Sequence, residues 1–273
     1  MASSSTKKNS DNWSCTLLLL LSAGLAQAQG SGNAEGDWIY LVKSQPSDPA
    51  REAEFNAWYD DIDVPDVLAV PSFRRARRAV GLNAPFVADV HLKADDGTYA
   101  AIYDIESDDI DKSIIDLYVA ARKMNALGRS TDALRVVEAN YYRRLRGHAS
   151  SNDTGTSDRF FYVQKIICCS AAASVNRYAK WFDEQIGTQI KGTNGFVYAG
   201  LYELYRVMEE LAIGSDELPH LLAIYEVAAL SAEEALLLLE DTIGRFDKAG
   251  PPGDPREVRD SILYQQLSDV TSE

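Results

Sequence analysis

The 273-residue chain is long enough for one large domain or two small ones, and its 46% apolar and 25% charged residues argue against wholesale disorder. Its net charge of −14 disfavours a nucleic-acid backbone or an anionic membrane as partner, because both would be repelled at long range. The chain opens with a pattern expected of a secretory signal over residues 1–28. Lys7 and Lys8 supply the positive start, Thr16 to Ala26 forms an apolar run too short to span a bilayer, and Ala26-Gln27-Ala28 offers small residues for cleavage. Cys15 precedes that run, which argues against a lipid anchor. The product is therefore expected to be periplasmic or secreted.

Beyond the leader, Trp38 to Val42 reads as a strand rich in β-branched and aromatic residues. Ser47-Asp48-Pro49 begins a helix, along which Phe55, Trp58, Tyr59 and Ile62 recur at helical spacing. Strands follow at Phe73 to Val80 and Tyr99 to Ile105, then a helix at Asp108 to Ala126 and a strand at Val137 to Leu145. The polar stretch 147–158 has linker composition and separates a first unit, 37–146, from a second, 159–270. In the second unit the strands are Phe160 to Ile167, Phe196 to Leu204, Leu221 to Val227 and Ile262 to Leu267. Its helices are Ala172 to Ile186 and Ser231 to Phe246, the latter opened by a capping box of Ser231 and Glu234. Cys168-Cys169 admits either a strained vicinal disulfide or two buried thiols.

The two units repeat one another. Trp58, Tyr59, Asp60, Asp61 and Phe73 align without a gap on Trp181, Phe182, Asp183, Glu184 and Phe196. After a shift of one, Ala101 to Ile105 aligns on Ala223 to Val227, and Tyr141 on Leu263. Three blocks in the same order indicate duplication. The order βαββαβ, twice, predicts an α+β fold of two tandem ferredoxin-like units. Strands such as Trp38 to Val42 are apolar on both faces, so the units should stack sheet to sheet and close a pseudo-dimeric barrel within one chain.

The segment from Phe55 to Phe73, FNAWYDDIDVPDVLAVPSF, followed by Arg74-Arg75-Ala76-Arg77-Arg78, resembles the EthD-like branch of the dimeric α+β-barrel superfamily. The resemblance implies the fold strongly and an activity weakly, because that superfamily spans cofactor-independent monooxygenases, cyclases, isomerases and haem-binding enzymes. The position where such relatives often carry a pocket histidine holds Asp63 here and Ile186 in the second unit. Histidine exchanges protons near neutral pH, whereas an aspartate needs burial to act as an acid.

Of the four acids Asp60, Asp61, Asp63 and Asp66, a hard-cation site would need oxygens converging from one face, and helical spacing separates Asp61 from Asp60 and Asp63. Asp60 and Asp61 read as a solvent face, and Asp66 as a cap after a break at Pro65. Asp63 is left as the candidate acid/base, with Arg77 and Tyr59 stabilising developing oxyanion charge. Trp58, Tyr40, Arg75, Tyr103 and His91 are the candidate substrate contacts, though the aromatic spacing and the arginine run fit core packing and ion pairing equally. No metal and no cofactor is expected. The partner expected is a small hydrophobic or aromatic molecule, with no nucleic acid and no membrane, and with a homodimer left open. Two functions remain: a cofactor-independent enzyme (isomerase, cyclase, lyase or monooxygenase type), or a non-catalytic binding or scaffold protein keeping the barrel.

Overall fold

The computed structural model describes residues 37–82, 99–150, 157–167, 172–207, 221–243 and 257–272. The leader, Cys168-Cys169, His91 and His220 lie outside the described residues. Eight strands stand among helices in the order read from the sequence: β1 (Asp37–Pro46), β2 (Phe73–Gly81), β3 (Tyr99–Glu106), β4 (Leu134–Ala149), β5 (Asp158–Ile167), β6 (Phe196–Val207), β7 (Leu221–Ala229) and β8 (Glu257–Thr271). They close a barrel in the order β1-β3-β2-β8-β5-β7-β6-β4, with every pair antiparallel. The first four strands lie side by side as β4-β1-β3-β2, and the last four repeat that order as β8-β5-β7-β6. The halves meet along two seams, β2 with β8 and β4 with β6. Pairing across the second seam carries β4 three residues into the expected linker, where Ala149 pairs with Tyr198.

Period-two alternation gives each strand two apolar faces. Ile39, Leu41, Ile102, Phe161, Ile224 and Tyr264 point inward and form a core drawn from both halves. The outward faces of each half pack under that half's helices, with Phe55, Trp58, Tyr103 and Tyr141 in the first and Tyr178, Trp181, Phe182, Tyr225 and Leu263 in the second. Each such side chain contributes about 1.5–3 kcal/mol on burial.

The alternation is reset by extra residues that have no partner across the ladder. Arg74 on β2 and Val197 on β6 are two of them. They stand at the offset that relates Trp58 to Trp181. Val137 and Leu145 on β4, with Arg259 and Leu267 on β8, stand at the offset relating Tyr141 to Leu263. Because Arg74 is extra, both Phe73 and Ala76 face the helices, whereas Arg75 and Arg77 turn into the barrel.

The helix expected to break at Pro65 continues instead. α1 (Glu52–Trp58) runs into a π turn, Tyr59–Asp63, and on into α2 (Val64–Leu68). The Val64 N–H reaches back five residues to the Tyr59 carbonyl, and Pro65 then sits in the first turn of α2, where no donor is needed. Asp66 does not cap a turn. It accepts both hydrogen bonds of the Arg129 fork, at 2.8 and 3.0 Å. The third helix, α3 (Ile110–Ala126), is capped by Asp109, whose side chain accepts from the Lys112 N–H at 3.0 Å. α4 (Ala172–Gly192) is unbroken and six residues longer than expected, and α5 (Ala232–Thr242) opens on Ser231.

Within α4 a glycine does spatial work. A Cβ on Gly187 would lie 2.6 Å from the His148 ring, which rests against the helix while its Nε2 lies 2.8 Å from Asp183 Oδ1. Alanine ordinarily gains about 1 kcal/mol over glycine in a helix interior. Here Gly187→Ala should instead cost about 1–3 kcal/mol through overpacking, and His148→Ala in the same chain should restore most of it in urea melts.

Candidate functional site

The π turn widens the helix where Asp63 faces the outer surface of the first-half sheet. Its carboxylate is half-buried and accepts a 2.6 Å hydrogen bond, at Oδ2, from the Tyr103 hydroxyl on β3. Tyr40 on β1 stacks between Tyr103 and Tyr141, with ring centroids 6.0 and 4.3 Å away. Tyr59, one turn before Asp63, places its hydroxyl 3.1 Å from Ser44 Oγ. Burial pushes the Asp63 carboxyl up to about 6, against the opposing pull of the Tyr103 hydrogen bond and the Arg78 charge. Burial, with the Asp63 charge second, also raises Tyr40, Tyr59 and Tyr103, so all three remain neutral donors around the acid.

Tyr103→Phe tests that arrangement. Losing a hydroxyl donor to a carboxylate should cost about 1–2 kcal/mol near neutral pH and lift the Asp63 pKa further, as read from the carboxyl's NMR titration.

The arginine expected beside Asp63 is not the one found there. Tyr103 and Asp104 are neighbours on β3 and point to opposite faces: Tyr103 to Asp63 outside the barrel, Asp104 to Arg77 inside it. The sheet therefore separates Arg77, and with it Arg75, from Asp63. Arg78 occupies the outer face instead. It is almost wholly buried, with its guanidinium 4.5 Å from the Tyr59 ring centroid. It donates to Asp60 Oδ1 at 2.5 Å and to Asn56 Oδ1 at 2.7 Å. Trp58 is an anchor, its Nε1 donating to the Arg129 carbonyl at 2.7 Å. Asp61 is exposed. Tyr59, Tyr40 and Tyr103 thus gather around Asp63, whereas Arg75 and Arg77 do not. His91 lies outside the described residues.

The second half places Tyr162 and Tyr225 as the first places Tyr40 and Tyr103, stacked at 6.1 Å. The residue facing them from the helix is the buried Ile186. The acid is confined to one half. Among the described residues, no three His, Cys, Asp or Glu side chains converge in a metal-holding group.

A cavity of about 380 Å³ lies elsewhere, at one mouth of the barrel interior. Arg77 donates to both oxygens of Asp104 at 2.8 and 3.0 Å, and its other terminal nitrogen stands 3.6 Å from Glu226. Arg75 forks onto Asp269, with Nε to Oδ1 at 2.7 Å. The hydroxyl of Tyr198 lies where a Cβ on Gly147 or on Gly200 would stand, 2.8 and 2.7 Å away, so this pair of facing glycines makes room for it. Burial raises the Glu226 carboxyl above its usual range despite the arginines around it.

No protein-family model and no curated protein sequence matches the chain. Solved structures do. An anthrone oxidase-like protein superposes with a TM-score of 0.51 at 10% identity, covering 88% of this chain and 94% of that one. A protein provisionally named a monooxygenase, from Fusobacterium nucleatum, gives 0.48 at 11% identity, covering 86% and 94%. A DyP-type peroxidase from Mycobacterium smegmatis gives 0.45 at 13% identity, covering 86% and 92%. At these identities the likeness is one of fold: an eight-stranded α+β barrel, here closed within one chain.

Proposed function

We propose that the chain is a cofactor-independent α+β-barrel enzyme that moves a proton on a small hydrophobic or aromatic molecule, with Asp63 as the acid/base. The supporting observation is the half-buried Asp63 carboxyl, lifted by burial to about 6 and ringed by neutral tyrosines. Such a group is largely ionised at neutral pH, yet basic enough to take a proton from an activated C–H or phenol. Tyr59 and Tyr40 would then donate to the enolate or phenolate oxygen that forms. Arg78, held by Asp60 and Asn56, acts at a distance by keeping part of the acid ionised.

The anthrone oxidase-like neighbour makes anthrone, with its acidic methylene and planar rings, the first substrate to try. Wild type should turn over anthrone or a related phenolic ketone with kcat/KM rising as pH passes through about 6, and Asp63→Asn should lose nearly all of it. A variant at full rate, or a flat profile across that range, removes Asp63 from the chemistry. A non-catalytic binding role is the second reading, favoured by the cavity's lying inside the barrel, away from Asp63.

The same proposal includes an EthD-like ancestry by duplication, supported by paired extra residues on β2 and β6 and on β4 and β8 at the offsets of the sequence repeat. It also includes export, supported by Lys7, Lys8 and the apolar run Thr16 to Ala26. N-terminal sequencing of the mature product should find Gln29 first, and an intact Met1 would rule export by this leader out.

A further inference from the structure

The cavity at the barrel mouth is unlike the rest of this acidic chain. Four arginines line it, Arg75, Arg77, Arg144 and Arg159, against three carboxylates, Asp104, Glu226 and Asp269. In a protein of net charge −14, arginines thus outnumber carboxylates by one among the described residues lining this mouth. Internal pairing also leaves polar atoms over, Arg77 Nε and Gln266 Oε1 among them. Arg77 is 5% exposed, and its Nε is buried with no hydrogen-bond partner among the described residues, although both terminal nitrogens face acids. Gln266 Oε1, from β8, is buried in the same way. A buried donor or acceptor left unsatisfied costs about 1–3 kcal/mol, so two of them on residues that line one cavity favour a molecule that meets both.

That molecule must accept a hydrogen bond from a guanidinium N–H, donate one to an amide oxygen, and carry negative charge. Carboxylate matches the first and third needs, since its planar oxygens fit guanidinium geometry. A hydroxyl on the same molecule meets the second. The rings of Tyr198 and Tyr202, whose hydroxyls are 3.2 Å apart, give the wall a flat amphipathic surface. The volume of about 380 Å³ admits a single-ring ligand and is at the small end of ligand sites.

We propose that the barrel mouth binds a small hydroxylated aromatic carboxylate, its carboxylate toward Arg77 and its hydroxyl toward Gln266. This site lies on the opposite side of the sheet from Asp63 and stands whether or not Asp63 is catalytic.

4-Hydroxybenzoate is the probe, titrated into the full chain by isothermal calorimetry. It should bind at one site, and its neutral isostere 4-hydroxybenzamide should bind at least about tenfold more weakly, since the excess charge selects the anion. Gln266→Glu places a carboxylate where the acceptor stood and should weaken the acid by about tenfold or more. Arg77→Lys keeps the charge but removes the Nε donor, and should also weaken it. Asp63→Asn should bind as wild type does. Equal affinity for acid and amide, undiminished binding by folded Gln266→Glu, or loss of binding in Asp63→Asn would each overturn the proposal. So would the absence of binding to folded wild type at millimolar acid.

Discussion

Asp63→Asn should make the protein more stable at neutral pH, by about 1–3 kcal/mol, while removing the proton acceptor. The sign follows from the direction of the shift. The folded-state pKa of about 6 lies above the ordinary 3.8, so the folded protein holds the proton more tightly than the unfolded chain. Below the ordinary value both states are protonated and burial of Asp63 carries no ionic penalty. The penalty grows as pH rises between the two values and is complete above about 6. Asparagine never ionises, and its side-chain oxygen still accepts from the Tyr103 hydroxyl. Urea melts of both proteins at about pH 4 and about pH 7.5 should show the variant's advantage growing with pH. An advantage that does not change with pH would mean that the carboxylate is solvated in the folded protein. A stabilising substitution at a catalytic group is the expected exchange of stability for function.

The second large effect runs the other way. Arg77→Met should cost about 3–5 kcal/mol, because it leaves buried carboxylates without their counter-ion. Glu226 is 7% exposed and Asp104 22%, so Glu226 above all depends on that counter-ion. Methionine restores much of the lost volume, so the deficit reports charge more than cavity. Glu226 would respond by taking up a proton, since burial already raises its pKa and Arg77 is the largest influence holding it down. Adding Glu226→Gln should accordingly recover about 1–2 kcal/mol of the loss. An Arg77→Met protein within about 1 kcal/mol of wild type would show that water reaches the acids when the arginine is gone.

Much of the fold was legible because it rests on periodicities that a chain cannot hide. The β-branched and aromatic run Trp38 to Val42, and Phe55, Trp58 and Tyr59 at helical spacing, placed strands and helices close to where they stand. The repeat pointed to closure, which the β2–β8 and β4–β6 seams supply. The faces of individual side chains were less legible, because one extra residue inverts a strand's alternation. Strand alternation puts Arg75 and Arg77 on one face, but which face depends on Arg74, and nothing local in RRARR marks it as extra. The acid therefore gained Arg78 as its cation rather than Arg77. Tyr141 was missed for a related reason: its stacking on Tyr40 follows from the β1–β4 register, which lies far away in sequence. The break expected at Pro65 failed because the π turn puts Pro65 in the first turn of α2, where the N–H that proline lacks is not needed. The barrel-mouth cavity gathers residues from seven strands, β2 to β8, and no stretch of sequence contains it.

Closure through two seams within one polypeptide has a consequence for symmetry. A barrel assembled from two identical subunits must carry whatever it carries twice, and each substitution appears on both sides at once. Here the halves are tethered, no dilution separates them, and a position in one half is free to differ from the matching place in the other. Asp63 faces its tyrosines in one half, whereas Ile186 fills the corresponding place in the other. The second half can thus be packed dry for stability, leaving the strain of a buried acid to be borne once rather than twice.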